Sequence, residues 1–201
     1  MPKIIENLEA RLIQEAQRQI AESGYGATTI RSVAKGCGIG VGTVYNYFSS
    51  KEALVATFML SDWKQCMTVA EAVSNYSDSP RAICLCLYDQ LVEFSQRHQA
   101  IFRDESAYAS FTGSFSQYHG MLRNQLAKPL RKFCQTDFQA DFIAESLLTW
   151  TSAGKGFDEI YGMIVKLFCC AVFLNITGLH LGQSLFLLLN RKKRRDIYVQ
   201  L

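Results

Sequence analysis

Residues 24–54 read GYGATTIRSVAKGCGIGVGTVYNYFSSKEAL. Ile30, Val33, Ala34 and Cys37 recur at helical spacing, and Gly38 ends that short helix. Thr28 stands where an N-cap would accept a backbone N–H through its hydroxyl. A second short helix is expected over 41–48, across a glycine-bearing turn. Ser49-Ser50-Lys51-Glu52 then forms a capping box for a third, with Ser49 placed to reach the N–H of Glu52 and Glu52 to reach back. Two short helices at a tight turn, with a capped helix behind, form a helix-turn-helix arrangement.

In that arrangement one helix braces across the DNA backbone while the next enters the major groove. The inserted helix must be short, and its outer face must be free of bulky charge. Residues 41–48 meet both conditions. Val44 and Phe48 fall on one side, where they can pack against Ile30, Val33 and Ile39. Gly42, Thr43, Tyr45, Asn46 and Tyr47 are left facing outward, wholly or in part. Hydroxyls of Thr43 and Tyr47 suit phosphate oxygens, and such contacts fix register. Val41 and the Tyr45 ring suit a thymine methyl, and Asn46 suits a base edge or a phosphate. Gly42 lets backbone approach the duplex. Arg31 could reach a guanine or the backbone, and Lys51 could meet a phosphate beside the free N–H groups of its helix start.

Around this stretch the rest reads as helix. Ile5, Leu8, Leu12, Ala16 and Ile20 mark a helix over 4–23, stopped by Gly24. The fourth helix runs through Leu54 and Phe58 to Trp63 at least. NYSDSP at 75–80 is the clearest break, with Ser79 as N-cap and Pro80 at the first helical position. Helices are expected over 81–98, near 100–110, over 114–135, over 137–152 and over 157–175. Gly154-Lys155-Gly156 is a turn, and an apolar piece runs on to Asn190. Clear period-2 alternation is absent. The reading is therefore all-α.

The 201 residues are 49% apolar with a net charge of +3, enough for a sizeable core and neutral on the question of nucleic acid. The seven cysteines form no CxxC pair, and three histidines supply no metal-ligand spacing. No cofactor is expected. The charged N-terminus has no apolar signal core, so a cytoplasmic location is expected. Cys84-x-Cys86 and Cys169-Cys170 lie in apolar stretches and read as core residues rather than redox sensors. Asp104-Glu105 and Asp158-Glu159 are sequence neighbours that do not share a helix face, and no nucleophile–base spacing argues for an enzyme.

Two signals invite other readings. Glycines at 36, 38, 40 and 42 resemble a nucleotide cradle, but such a loop follows a strand, and here a helix precedes it. From Leu167 to Asn190 there is no charged residue, and a basic run at 191–195 follows, as in a membrane span. Asn175, Thr177, His180, Gln183 and Ser184 interrupt it, which favours a buried helix at a dimer interface. A membrane-tethered regulator is the alternative.

Residues 11–60 resemble the DNA-binding domain of the TetR (tetracycline repressor-like) family. The resemblance rests on Gly24-Tyr25, Ala27-Thr28-Thr29-Ile30, Val33-Ala34, Gly38-Ile39, Gly42-Thr43-Val44-Tyr45, Tyr47-Phe48 and Ser50-Lys51-Glu52-Ala53-Leu54, in the right order and spacing. It implies an N-terminal three-helix helix-turn-helix domain (1–50) joined to a larger C-terminal helical domain (51–190) for effector binding and dimerisation. Residues 191–201 would be a basic tail. It implies a homodimeric regulator, a repressor by family habit, that binds a palindromic double-stranded DNA operator and is released by a small-molecule effector. By the family pattern, Arg31, Val41, Gly42 and Tyr45 are base-contact candidates, and Thr29, Thr43, Asn46, Tyr47 and Lys51 are phosphate-contact candidates.

The effector pocket is less legible. Phe111, Phe115 and Tyr118 recur at helical spacing, with Phe102 and Tyr108 nearby, a stripe that suits core packing or a pocket wall. Trp63, Phe94 and Trp150 join them only by position in the family's ligand domain. Two residues depart from the pattern. Gly40 stands where Ser usually caps the recognition helix, and Gly36 falls in the last turn of the preceding helix, where it should weaken it.

Overall fold

The computed structural model describes residues 7–176, apart from the side chains of 112–117 and 168–176. Among the described residues the chain is helical, with no strand. Leu8–Ser23 forms α1, which buries Leu8, Leu12, Ala16 and Ile20 along one stripe. Gly24, at φ 85°, closes it and donates its N–H to the Ile20 carbonyl. Ile30–Gly36 is α2, and Val41–Tyr45 is α3. Lys51–Tyr76 forms the long α4.

Two caps sit one residue later than expected. Thr29, not Thr28, caps α2. Thr28 is buried instead, and its hydroxyl donates to the Gly24 carbonyl at 2.9 Å. Ser50, not Ser49, caps α4 by accepting the Ala53 N–H. The groove-facing helix is also shorter than 41–48. It ends at Tyr45, although the N–H groups of Tyr47 and Phe48 still bond the Val44 carbonyl.

The first core cluster joins Leu8, Leu12 and Ala16 to Ile30, Val33, Ala34, Val44, Phe48 and Leu54. Its Leu, Ile, Val and Phe side chains each contribute roughly 1.5–3 kcal/mol by leaving water. A second cluster, of Ile20, Tyr25, Val55, Phe58, Ile101 and Ala107, ties this head to the helices that follow.

Those helices are α5 (Pro80–Arg97), the short α6 (Gln99–Phe102), α7 (Glu105–Ala127), a 3₁₀ segment (Lys128–Phe133) and α8 (Asp137–Ser152). Ser79 caps α5 with Pro80 in its first turn, as expected. The helices expected near 100–110 and over 114–135 are divided differently. Asp104 caps a single α7 that spans most of both. Helix α4 packs along α5, and α8 lies against α5 and α7.

Two compact units divide between residues 157 and 158. The second contains α9 (Phe157–Ile176) beyond its first residue. Asp158 and Glu159 in its first turn suit the positive end of the helix dipole. Among the described residues no helix is long and apolar enough to cross a membrane. Most of the charge-free stretch 167–190, His180 and the basic run 191–195 lie outside the described residues, as do the side chains of Phe115, Cys169 and Cys170.

Candidate nucleic-acid interface

Helix α2 is held at its start by a reciprocal pair. Thr29 Oγ1 accepts the Ser32 N–H and Ser32 Oγ accepts the Thr29 N–H, both at 3.0 Å. Gln19 of α1 donates to the Ser32 carbonyl at 3.1 Å and accepts from its hydroxyl at 2.5 Å, so α1 braces α2. Gly38, at φ 70°, makes the turn into α3, a left-handed backbone that costs glycine little. Gly40 caps α3 without a side-chain bond.

The five residues of α3 divide cleanly. Val44 is fully buried, and Val41 packs against the first core cluster. Tyr45 is 53% exposed and Tyr47 46% exposed. Gly42 and Asn46 are also exposed, while Thr43 is half-buried. A Cβ on Gly42 would meet nothing within 4 Å, so the backbone there is open to close approach.

A shallow cleft of about 480 Å³ opens where the starts of α2 and α4 meet α3. Thr29, Arg31, Val41, Tyr45, Ser50 and Lys51 are among the residues that line it. Five of the nine expected contact residues thus share one cavity, and Gly42, Asn46 and Tyr47 lie on the exposed surface of the same short segment.

Lys51 also makes contacts within the chain. Its ammonium turns inward, donating to the Tyr25 carbonyl at 3.0 Å and sitting 3.7 Å from the centre of the Tyr25 ring. Burial holds its pKa below the usual lysine value. Tyr25 is itself fully buried and donates its hydroxyl to Glu52 at 3.0 Å. Burial pushes the Tyr25 phenol up to about 12. Burial works against the Glu52 carboxylate, but its own backbone N–H and the Ser50 and Tyr25 hydroxyls hold it below its ordinary value. Tyr25, Glu52 and Asp104 were not singled out as functional residues from sequence. Tyr25 and Glu52 stood in the sequence only as motif and capping residues, and Asp104 fell within an expected helix whose true start it caps.

Of the described aromatic candidates for an effector pocket, Trp63, Phe94 and Phe102 lie in successive ring contact. Trp63 and Phe94 are buried against one another, ring centres 5.4 Å apart and edge to face. Phe111 packs on Tyr25 with ring centres 6.0 Å apart. Phe102, Tyr108 and Trp150 face outward, Tyr108 at 72% and Trp150 at 50% exposure. Tyr118 is half-buried. A separate cleft of about 460 Å³ lies between α4, α7 and the 3₁₀ segment, with Trp63, Met67, Met121, Gln125 and Pro129 in its walls. Among the described aromatic candidates only Trp63 reaches it, and its indole N–H donates to Gln125 Oε1. The thiols of Cys37, Cys66, Cys84, Cys86 and Cys134 are free, and burial raises each, Cys84 to about 12. Such thiols are poor redox sensors. Among the described residues no group of His, Cys, Asp or Glu could hold a metal ion.

Residues 12–57 match the family model of "Bacterial regulatory proteins, tetR family". YuxN of Bacillus subtilis, described as an uncharacterized HTH-type transcriptional regulator, is 32% identical over 89 residues, 42% of this chain and 31% of that protein. KstR2 of Mycobacterium tuberculosis, an HTH-type transcriptional repressor, is 26% identical over 106 residues, 51% of this chain and 52% of that protein. The chain thus spans between a third and about half of the length of these two relatives. A crystal structure of a transcriptional regulator from Rhodococcus sp. shares the fold, with a TM-score of 0.57, 19% identity and coverage of 79% of this chain and 96% of that one. The matched span covers α2, α3, their turn and the capped start of α4, the segment whose geometry is described above, and this span is a DNA-binding domain of the tetR type.

Proposed function

We propose that the chain is a transcriptional regulator that reads double-stranded DNA with α3 and acts as a homodimeric repressor released by a small-molecule effector. The observation that carries the DNA reading is the division of α3 and its flank. Val44 and Phe48 are spent on the core, while Tyr45, Asn46 and Tyr47 stand outside it beside the cleft of Thr29, Arg31 and Lys51. Hydroxyl, amide and guanidinium groups on one surface suit phosphates and base edges. The similarity to KstR2, named as a repressor, supports repression over activation.

Pairing of two chains is supported by α8, whose outer face carries Phe138 at 75% and Phe142 at 39% exposure. Met163, Val165 and Leu167 are exposed apolar residues of α9. Two subunits would set their α3 helices in successive major grooves, about 34–36 Å apart. The cleft between α4, α7 and the 3₁₀ segment is of a size that holds small molecules and is the best place for the effector. Residues 1–50 would be the reading head and 51–190 the effector-binding and dimerisation domain, with 191–201 as a tail.

Selection of bound fragments from random duplex DNA tests the reading. Recovery of a near-palindrome with half-sites one helical turn apart is expected, together with a solution mass of two chains. A pool with no enriched sequence would refute it.

A further inference from the structure

Asp104 bridges the turn before α2 to the start of α7. Its Oδ2 accepts the Gly26 N–H at 2.9 Å, across 78 positions of sequence. Its Oδ1 accepts the N–H groups of Ser106 and Ala107 at 2.9 and 3.3 Å, capping α7. The fit is close. A Cβ on Gly26 would lie 3.0 Å from Ser106 Oγ and 3.5 Å from Asp104 Oδ2. One residue before Gly26, the Tyr25 carbonyl receives the Lys51 ammonium, and the Tyr25 ring lies beneath that ammonium. The same ring is packed by Phe111 of α7. Both supports of Lys51 are therefore fastened to α7, one through Asp104 and one through Phe111.

We propose that Asp104 is a positioning residue for DNA-backbone contact: by clamping Gly26 to α7 it fixes the Tyr25 carbonyl and ring on which the Lys51 ammonium rests. This deepens the DNA reading and depends on it. An ammonium has three donors in place of a single fixed direction. The carbonyl takes one and the ring face engages another, which leaves a donor for the cleft that Lys51 shares with Thr29, Arg31 and Ser50. Lysine carries a large rotamer entropy, and ordering it before contact lowers the cost of binding. Because α7 also supplies Met121 and Gln125 to the α4–α7 cleft, the clamp lies on the helix that an occupant of that cleft would touch.

The test is Asp104→Ser. Serine retains an oxygen to cap α7 but is too short and too poor in acceptors to hold Gly26 as well. Binding is read by fluorescence anisotropy with a mixed-sequence duplex of about 30 base pairs, roughly three helical turns. Asp104→Ser should weaken binding about tenfold, the size of a typical coupling between sites, with thermal stability close to the parent. In a Lys51→Ala background the same change should have no further effect, since the residue it positions is gone. Equal weakening in both backgrounds would overturn the proposal. A second readout needs no DNA. The Tyr25 ring should shift the Lys51 ε-methylene protons upfield in NMR, and Asp104→Ser should abolish that shift. Retention of the shift overturns the clamp even if the parent protein fails to bind any duplex, an outcome that would count separately against the DNA reading.

Discussion

The carboxylate of Glu15 fills the space that a side chain at position 36 would need: a Cβ on Gly36 would lie 2.1 Å from Glu15 Oε1 and 2.6 Å from its Cδ. Glycine in the last turn of α2 looks like a weakness in the sequence. In the structure it is the gap through which α1 reaches across. Glu15 is itself tethered, accepting from Arg18 at 2.7 and 2.9 Å and from Gln19 at 2.7 Å. Arg18 and then Gln19 hold its pKa down to about 2.

Gly36→Ala alone should therefore fail to stabilise the protein. The helix-propensity gain of up to about 1 kcal/mol is offset by displacement of Glu15 from its partners. In an Glu15→Ala background the space is open, and the same change should raise the urea midpoint by up to that amount. The check is a double-mutant cycle on unfolding free energy. Equal gains in both backgrounds would show that Glu15 does not occupy the gap.

Gly40 offers the opposite case. Its backbone, at φ −73° and ψ 145°, suits any residue, and a Cβ there would meet only Thr43 Oγ1, at 4.0 Å. The cap lacks a side-chain acceptor. Gly40→Ser should stabilise by a few tenths of a kcal/mol and slow amide exchange at 42 and 43. Unchanged exchange at both amides would mean that serine makes no cap.

How far these features could be read from the chain depended on the range of the interaction. Val44 and Phe48 are four apart on α3 and the turn that continues it, and that local pattern sufficed to assign the buried and outer faces of the segment. The caps were misread by one place because Thr28-Thr29 and Ser49-Ser50 offer the same hydroxyl twice. The choice falls to tertiary structure: Thr28 is drawn under the turn to the Gly24 carbonyl, which leaves Thr29 at the helix start. Lys51 had no local reason to turn inward, since the carbonyl that holds it lies 26 positions away. The aromatic stripe gave only the apolar face of a helix and not what stands opposite. Phe111 meets Tyr25 of the head, while Tyr108, three residues earlier, faces out.

His98 gives a pH dependence. It is 3% exposed among the rings of Phe58, Phe94 and Phe102, with Nε2 3.1 Å from Asp62 Oδ2 and Arg97 3.6 Å from the same carboxylate. Burial lowers its pKa below the ordinary histidine value, against the pull of Asp62. The unfolded chain then binds a proton that the folded chain refuses. Stability is complete above about pH 6.5 and falls as pH drops from there through the folded pKa. Urea unfolding from about pH 7.5 to 5.5 should show this loss, and His98→Gln should flatten it. A parent-like slope in the variant would assign the dependence to other groups.

Tyr45 and Tyr47 separate the two kinds of DNA contact. Both rings are exposed, so neither substitution should cost much folding stability. Tyr45 lines the cleft with Val41 and Arg31, whereas Tyr47 lies outside it. Loss of a base contact changes which sequences bind, at about 1–3 kcal/mol for a good pair. Loss of a phosphate contact weakens all sequences alike. Tyr45→Ala should therefore shift the motif recovered from a random duplex pool. Tyr47→Phe, which removes only the hydroxyl, should lower affinity for cognate and unrelated duplexes by the same factor. A Tyr45→Ala protein that recovers the parent motif at reduced affinity would move Tyr45 from the base edges to the backbone, and a Tyr47→Phe protein that loses only cognate binding would move Tyr47 the other way.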